Sequence, residues 1–110
     1  MVKEKLDNLI ARIENIYENE MITKPTPINI ELSQFRNNQR VIEEAEELGA
    51  IDRLVEISKN ELKRNPGSLS AKYILGAIAY KNDNVDDLKY FRDLVETFRQ
   101  VRRWSFVEYL

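Results

Sequence analysis

Residues 70–91, with the sequence SAKYILGAIAYKNDNVDDLKYF, combine a helical pattern with one glycine that the pattern does not require. Gly76 stands between Leu75 and Ala77 in what otherwise looks like the interior of a helix. A glycine in such a place costs about 1 kcal/mol relative to alanine. We therefore expect a compensating gain from close contact between this helix and a neighbouring one, for which the missing side chain makes room.

The remaining pattern predicts an all-α chain in three parts. Apolar residues spaced four and three apart predict an amphipathic helix over residues 1–22. Residues 23–34 are predicted to form a linker, because Pro25 and Pro27 prevent a continuous helix. Residues 35–110 are predicted to contain two helix–turn–helix units and the start of a final helix.

Local signals indicate where the helices begin and end. Ser33 or a nearby residue is a candidate N-cap, and Gly49 suits the left-handed conformation at a helix C-terminus. Ser68 or Ser70 can cap the helix that contains Gly76, and Asp86 is expected to begin the next one. The apolar residues expected to point inward from that last helix are Leu88, Phe91, Leu94, Val95 and Phe98.

The two helix pairs repeat with a period of 34 residues. Sliding the sequence by this period places apolar residues on apolar ones and turn residues on turn residues. The superposed pairs are Val41 with Leu75, Ala45 with Ala79, Gly49 with Asp83, Ile51 with Val85, Asp52 with Asp86, Leu54 with Leu88 and Ile57 with Phe91. Two units at such a period are typical of a helical repeat array.

Over residues 35–99 the chain resembles the tetratricopeptide repeat family, whose units run 34 residues and carry a W-x2-L-G-x2-Y…A-x3-F…P pattern. Leu75-Gly76 matches the L-G pair and Pro66 the closing proline, whereas Lys72 stands where the family has tryptophan. The resemblance implies a tetratricopeptide-like array of helical hairpins, an α-solenoid. It also implies a groove, lined by the first helix of each unit, that takes a peptide or a partner helix.

The partner-binding residues that the resemblance implies are Arg36, Gln39 and Arg40 in the first unit, and Tyr73, Ala77, Tyr80 and Lys81 in the second. The two arginines lie one turn apart, so they can meet an acidic group together or pair with Glu43 and Glu44 as ordinary surface residues. The two tyrosines are either contact anchors or core residues with hydroxyls at its edge.

The function predicted from these features is a non-catalytic scaffold or adaptor for protein–protein interaction. The chain has no cysteine and no histidine, so thiolate sites and the usual general base are excluded, and no cofactor or metal is expected. A net charge of −2 gives no electrostatic reason to expect nucleic acid. The basic and aromatic residues at 99–106 keep nucleic-acid binding as an alternative. We expect a cytoplasmic protein, because no apolar stretch approaches bilayer length.

The N-terminal stripe leaves a further alternative open. It can cover the first repeat within the same chain, or it can pair with a copy of itself in a homo-oligomeric assembly protein. The residues that would serve self-association are Leu6, Leu9, Ile13 and Ile16 near the N-terminus, with Trp104 and Phe106 near the C-terminus.

Overall fold

Five α-helices make up the chain in a computed structural model that describes residues 2–108, and the side chains of residues 3–100. Within residues 2–108 there is no strand, so the all-α prediction is confirmed. The helices are α1 (Val2–Thr23), α2 (Leu32–Glu47), α3 (Ile51–Arg64), α4 (Leu69–Lys81) and α5 (Leu88–Glu108).

The turns after α2 and α4 have the same backbone conformation. Gly49 adopts φ +66° after α2, and Asp83, 34 residues later, adopts φ +53° after α4. Glycine reaches this left-handed region without a steric penalty, and aspartate is among the few other residues that tolerate it. The period read from the sequence is therefore also a period in backbone geometry at these two turns.

Hydrogen bonds at the two turns repeat with the same spacing. After α2 the N–H of Ala50 donates to the carbonyl of Ala45 at 2.8 Å. After α4 the N–H of Asn84 donates to the carbonyl of Ala79 at 2.9 Å. Each bond closes a helix C-terminus around the left-handed residue and satisfies a carbonyl that the helix itself leaves unpaired.

The glycine in α4 lies against α5 at very short range. A Cβ on Gly76 would be 2.5 Å from the Cβ of Phe91 and 2.9 Å from its Cα and backbone nitrogen. Real Cβ atoms do not approach other heavy atoms so closely, so the backbones of the two helices are in contact only because residue 76 lacks a side chain. The expected close contact at Gly76 is confirmed.

Helix α4 occupies the centre of the molecule and contacts each of the other four helices. Its residues Ala71, Ile74 and Ile78 belong to the core, together with Val41 and Ile42 of α2. Helix α1 covers this core from within the same chain. Its contribution is the buried stripe formed by Leu9, Ile13 and Tyr17.

Several helix limits differ from the sequence prediction. Ser33 is not a cap, because α2 begins at Leu32 after an N-cap at Glu31, to whose carboxylate the Ser33 hydroxyl donates. Asp86 precedes the helix that it was expected to begin, since α5 starts at Leu88. Ser68, by contrast, does cap α4, and its hydroxyl oxygen accepts a hydrogen bond from the N–H of Ala71 at 3.1 Å.

The C-terminal end of α5 also differs from the sequence prediction. The sequence predicts the start of a final helix in the last ten residues, whereas α5 continues without interruption to Glu108. No proline or glycine follows Gly76 in the sequence, so nothing local ends α5 before that point. The second unit therefore has a long second helix instead of a short one followed by a new unit.

Candidate functional site

An apolar groove of about 410 Å³ runs along the surface where α2, α4 and α5 meet. Seven side chains line it: Phe35 from α2, Tyr73 from α4, and Phe91, Leu94, Val95, Phe98 and Arg99 from α5. We call this surface the α2–α4–α5 groove. Six of the seven side chains are aromatic or aliphatic, so the groove can bury apolar side chains of another molecule.

Tyr73, the α4 residue that lines the groove, belongs to a stripe of this helix that reaches the surface. Tyr73, Ala77 and Tyr80 recur at intervals of four and three residues, so they lie on one face of the helix. Tyr73 and Ala77 are half-buried and pack against the core, whereas Tyr80 is 74% exposed. Of the four α4 residues expected from the sequence to share a binding surface, these three lie on one face and Lys81 lies beside it, and of the four Tyr73 is the one that lines the groove.

Tyr73 is held in place by aromatic and polar contacts with α2. Its ring centroid lies 4.9 Å from that of Phe35, and its hydroxyl donates a hydrogen bond to Oε1 of Gln39 at 3.3 Å. Phe35 in turn packs edge to face on Phe98, with 6.1 Å between the ring centroids. Tyr73 is therefore both a structural residue and part of the groove wall, and Gln39 positions it.

The outer wall of the groove comes from α5 and is more exposed than the sequence pattern predicts. Phe91, Leu94, Val95 and Phe98 were all expected to point inward, yet only Leu94 is fully buried. Phe91 is 38% exposed and Val95 is 45% exposed. The periodicity of α5 predicts its apolar face correctly, but it does not reveal that among the described residues no further helix packs over that face.

Arg36 and Arg40 are exposed on α2, and among the described side chains neither has an ion-pair partner. Glu44, one of their expected partners, instead accepts a hydrogen bond from Arg12 of α1 at 2.6 Å. Lys81 is already engaged, because its Nζ lies 2.7 Å from Oε1 of Glu46 and so joins α4 to α2. Among the described residues the two arginines have no ion pair that a ligand would have to displace, whereas the ammonium group of Lys81 is engaged with Glu46.

The α1 residues proposed for self-association are buried or half-buried in the folded chain. Leu9 and Ile13 belong to the core, Ile16 packs half-buried against it, and Leu6 is half-buried. A second copy could reach this stripe only if α1 left its place on α2 and α4. The side chains of Trp104 and Phe106 lie outside the described residues, and so do those of Arg102 and Arg103.

Helix α1 carries a buried acidic residue that the sequence pattern does not single out. The carboxylate of Glu20 accepts hydrogen bonds from the hydroxyl of Ser68 and, at 3.0 Å, from the N–H of Ser70. A carboxylate is favoured there because the first turn of α4 presents unpaired N–H groups and the positive end of the helix dipole. Glu20 therefore attaches the end of α1 to the beginning of the central helix.

A hydrogen bond between hydroxyl groups ties α1 to α3 as well. The oxygens of Tyr17 and Ser58 lie 2.6 Å apart, and both residues are buried. Burial is the largest effect on the pKa of Tyr17 and raises it. The hydrogen bond with Ser58 lowers this pKa, whereas the carboxylates of Glu20 and Glu61 raise it further, and the net result is an increase. The phenol therefore stays neutral in the folded chain, as a structural residue.

Other kinds of site find less support in the described part of the chain. Among these residues, no group of three or more His, Cys, Asp or Glu side chains is arranged to hold a metal ion. The helices found there are all too short or too polar to cross a bilayer. The five residues from Glu43 to Glu47 lie along α2, where Glu44 and Glu46 pair with cations of α1 and α4.

Comparison with models of known protein families, with curated proteins and with solved structures gives no match to this chain. The groove itself therefore carries the indications of function. These are its apolar lining, its open side and the arginines near it.

Proposed function

We propose that this chain is a non-catalytic scaffold or adaptor that binds a peptide or a partner helix in the α2–α4–α5 groove. The observation that carries the proposal is the partial exposure of Phe91 and Val95 on a wall that is otherwise aromatic and apolar. Covering exposed apolar surface with a partner is favourable by about 25 cal/mol for each Å² that is buried. The surface is therefore suited to binding another protein or peptide.

We also propose that the groove belongs to an array of the tetratricopeptide type. Two features support this: the turns after α2 and α4 match in conformation at a spacing of 34 residues, and the glycine of the L-G pair lies against the second helix of its own unit. In such an array the first helices, here α2 and α4, would form the binding surface. The present groove differs in one respect, since α5 supplies most of its apolar lining.

A bound partner would make most of its apolar contacts in the middle of the groove. Phe91, Val95 and Phe98 follow one another along one face of α5, and Tyr73 lies opposite them. An extended or helical segment with two or three large apolar side chains could place them between these walls. Tyr80, exposed further along α4, is suited to the edge of the contact, where its hydroxyl stays in water.

A peptide-display selection tests the proposal. A library of random peptides of about 16 residues, long enough to cross a groove of this kind, is selected on the wild-type chain. The selected peptides are then measured against Val95→Glu, which places a charge in the groove, and against Val85→Glu. Val85 is 72% exposed in the turn before α5 and does not line the groove, so it is the matched control.

We expect selected peptides that bind the wild type and Val85→Glu alike and that lose at least about tenfold in affinity for Val95→Glu. Circular dichroism must show that both variants are folded, which their exposure leads us to expect. If no peptide is selected, or if Val95→Glu binds the selected peptides as well as the control does, the groove is not the binding surface.

A further inference from the structure

We propose that the partner is an acidic amphipathic helix, which would place an apolar stripe in the α2–α4–α5 groove and carboxylates against arginines on both of its sides. The inference rests on the proposed function and specifies the chemistry of the partner. It comes from the distribution of charge around the groove, which is basic although the whole chain carries a net charge of −2.

On the α5 side, two arginines share a face with the exposed valine of the groove. Arg92, Val95 and Arg99 are spaced three and four residues apart, so they line up along one side of the helix. Arg99 itself lines the groove, and its guanidinium lies 3.9 Å from the carboxylate of Glu96, at the limit of an ion pair between two well exposed side chains. Asp93, two residues before Val95, lies on another face of the helix.

On the α2 side, Arg36 and Arg40 lie one turn apart. Each directly follows a residue that contacts Tyr73: Phe35 through its ring and Gln39 through its amide oxygen. Both arginines are exposed, and no described carboxylate pairs with either of them.

Few carboxylates compete with these four arginines. Glu43, one turn beyond Arg40, and Glu96, between Arg92 and Arg99 on α5, are the carboxylates on the same sides of the two helices. Glu44 and Glu46 of α2 are engaged elsewhere, with Arg12 and Lys81. Glu47 lies about two helical turns from Arg40. The groove is thus an apolar strip with a basic margin of two arginines on each side. It is complementary to a segment that carries carboxylates on both sides of an apolar stripe.

The length of the groove favours a helix as the occupant. Phe91 and Phe98 are separated by seven residues, which corresponds to about 10 Å or two helical turns. A helix with apolar residues at i, i+3 or i+4, and i+7 matches that length with one face. Its neighbouring positions would then lie next to the arginines of α2 on one side and of α5 on the other.

The aromatic rings do not favour single-stranded nucleic acid, which also prefers arginines beside aromatic residues. Phe35 packs against Tyr73 at an interplanar angle of 32° and edge to face against Phe98, so these three rings already have partners within the chain. Base stacking requires open ring faces. Binding of a single-stranded oligonucleotide to the groove would therefore contradict the inference.

The experiment uses two synthetic peptides of about 16 residues, a length typical of a helix bound in a groove. Both carry the same leucine stripe at i, i+3, i+4, i+7 and onwards. One has glutamate at the flanking positions and the other has glutamine, so the two differ in charge and hardly in shape. Fluorescence anisotropy gives the dissociation constant of each labelled peptide from the full chain at low and at moderate salt.

We expect the glutamate peptide to bind at least about tenfold more tightly than the glutamine peptide at low salt, with the difference shrinking as salt is added. The paired variants Arg36→Gln/Arg40→Gln and Arg92→Gln/Arg99→Gln should each remove a large part of this preference. The matched control is Arg53→Gln/Lys63→Gln, which removes two exposed charges from α3 and should leave the preference unchanged.

Three results would overturn the inference. If the two peptides bind equally well, the groove still binds helices and the proposed function stands, but the acidic partner is wrong. If neither peptide binds, the inference fails, and the Val95→Glu selection decides separately whether the groove has another kind of ligand. A thymidine oligonucleotide of about 20 nucleotides could bind more tightly than the glutamate peptide and depend on the same arginines, which would assign the basic margins to nucleic acid.

Discussion

At the scale of single residues, Gly76 is notable for its close packing and Asn38 for its unpaired amide. Gly76 has no room for even a methyl group, because the backbone of Phe91 occupies the place where a Cβ would lie. Asn38 of α2 is fully buried, and among the described side chains and backbone groups neither its amide nitrogen nor its amide oxygen has a hydrogen-bond partner. A buried amide without partners costs about 1–3 kcal/mol, and nothing in the structure explains why the chain keeps it.

The Gly76→Ala variant should be less stable than the wild type. Helix propensity alone predicts a gain of about 1 kcal/mol, whereas overpacking against a backbone costs about 1–3 kcal/mol or more. Because the atoms in the way are backbone and Cβ atoms, they cannot move aside as the tip of a flexible side chain could. The cost therefore lies at the upper end of that range, about 2–3 kcal/mol, so after the propensity gain we expect a net loss of about 1–2 kcal/mol in the free energy of unfolding, measured by urea denaturation.

Gly67→Ala is the matched control for this substitution. A Cβ on Gly67 would have its nearest neighbour, Oδ1 of Asn65, at an ordinary distance of 3.7 Å, so the variant should be as stable as the wild type or slightly more stable. A Gly76→Ala variant with unchanged or increased stability would show that α4 and α5 are not in backbone contact at residue 76.

At the scale of elements, the position of α1 is the most informative feature. Its stripe lies in the core, Glu20 binds the first turn of α4, and the Tyr17 hydroxyl meets that of Ser58 in α3. Ion pairs between Arg12 and Glu44, and between Glu18 and Arg64, join α1 to α2 and α3 at the surface. Exposed pairs of this kind contribute little, so the buried stripe and the two buried polar contacts are what hold α1.

The contact between α1 and α3 predicts a specific loss of stability at alkaline pH. The pKa of Tyr17 is raised in the folded chain by burial, whereas in the unfolded chain it lies near 10.0. Below that pH the phenol is neutral in both states, so its contribution is fully present. Above it the unfolded state releases the proton and the folded state does not, so the free energy of unfolding falls by up to about 1.4 kcal/mol per pH unit.

The measurement compares urea unfolding of the wild type and of Tyr17→Phe from about pH 8 to about pH 11. Other tyrosines and the lysines titrate in both proteins, so their effects cancel in the comparison. The wild type should be the more stable of the two at the lower end, and its advantage should shrink above about pH 10. If the two curves run parallel over the whole range, Tyr17 is not buried between α1 and α3.

At the scale of the whole molecule, the five helices leave the apolar α2–α4–α5 groove open and keep much of the N-terminal stripe inside. A chain that already covers its stripe does not need a second copy for that purpose. The wild type should therefore have a mass close to the 13.0 kDa of one chain when light scattering is measured on a sizing column over a series of concentrations. Ile13→Glu should lower the free energy of unfolding strongly, because it places an unpaired charge in the core.

The opposite pair of results would favour assembly through α1. In that case the wild type would be a dimer or larger at accessible concentrations, and Ile13→Glu would be a folded monomer. Ile22→Glu is a useful control in the same helix, because Ile22 is exposed and its replacement should change neither the mass nor the stability appreciably.

Local signals in the sequence determined where most helices lie. Two prolines separate α1 from α2, Gly49 ends α2 in the left-handed conformation, and Ser68 caps α4. These features act within a few residues of the chain, so they can be recognised without knowing the fold. The close contact at Gly76 was also predictable, since a mid-helix glycine requires a neighbour at short range.

Only the tertiary structure decided which apolar residues remain uncovered. The spacing of Phe91 and Val95 is that of a buried face, but burial depends on whether another element packs there, and periodicity carries no information about that. The same reason applies to Glu20, which looks like a surface residue until the first turn of α4 is placed against it. The amphipathic pattern of each helix is a local property, whereas the groove arises from the arrangement of three helices that are distant in the sequence.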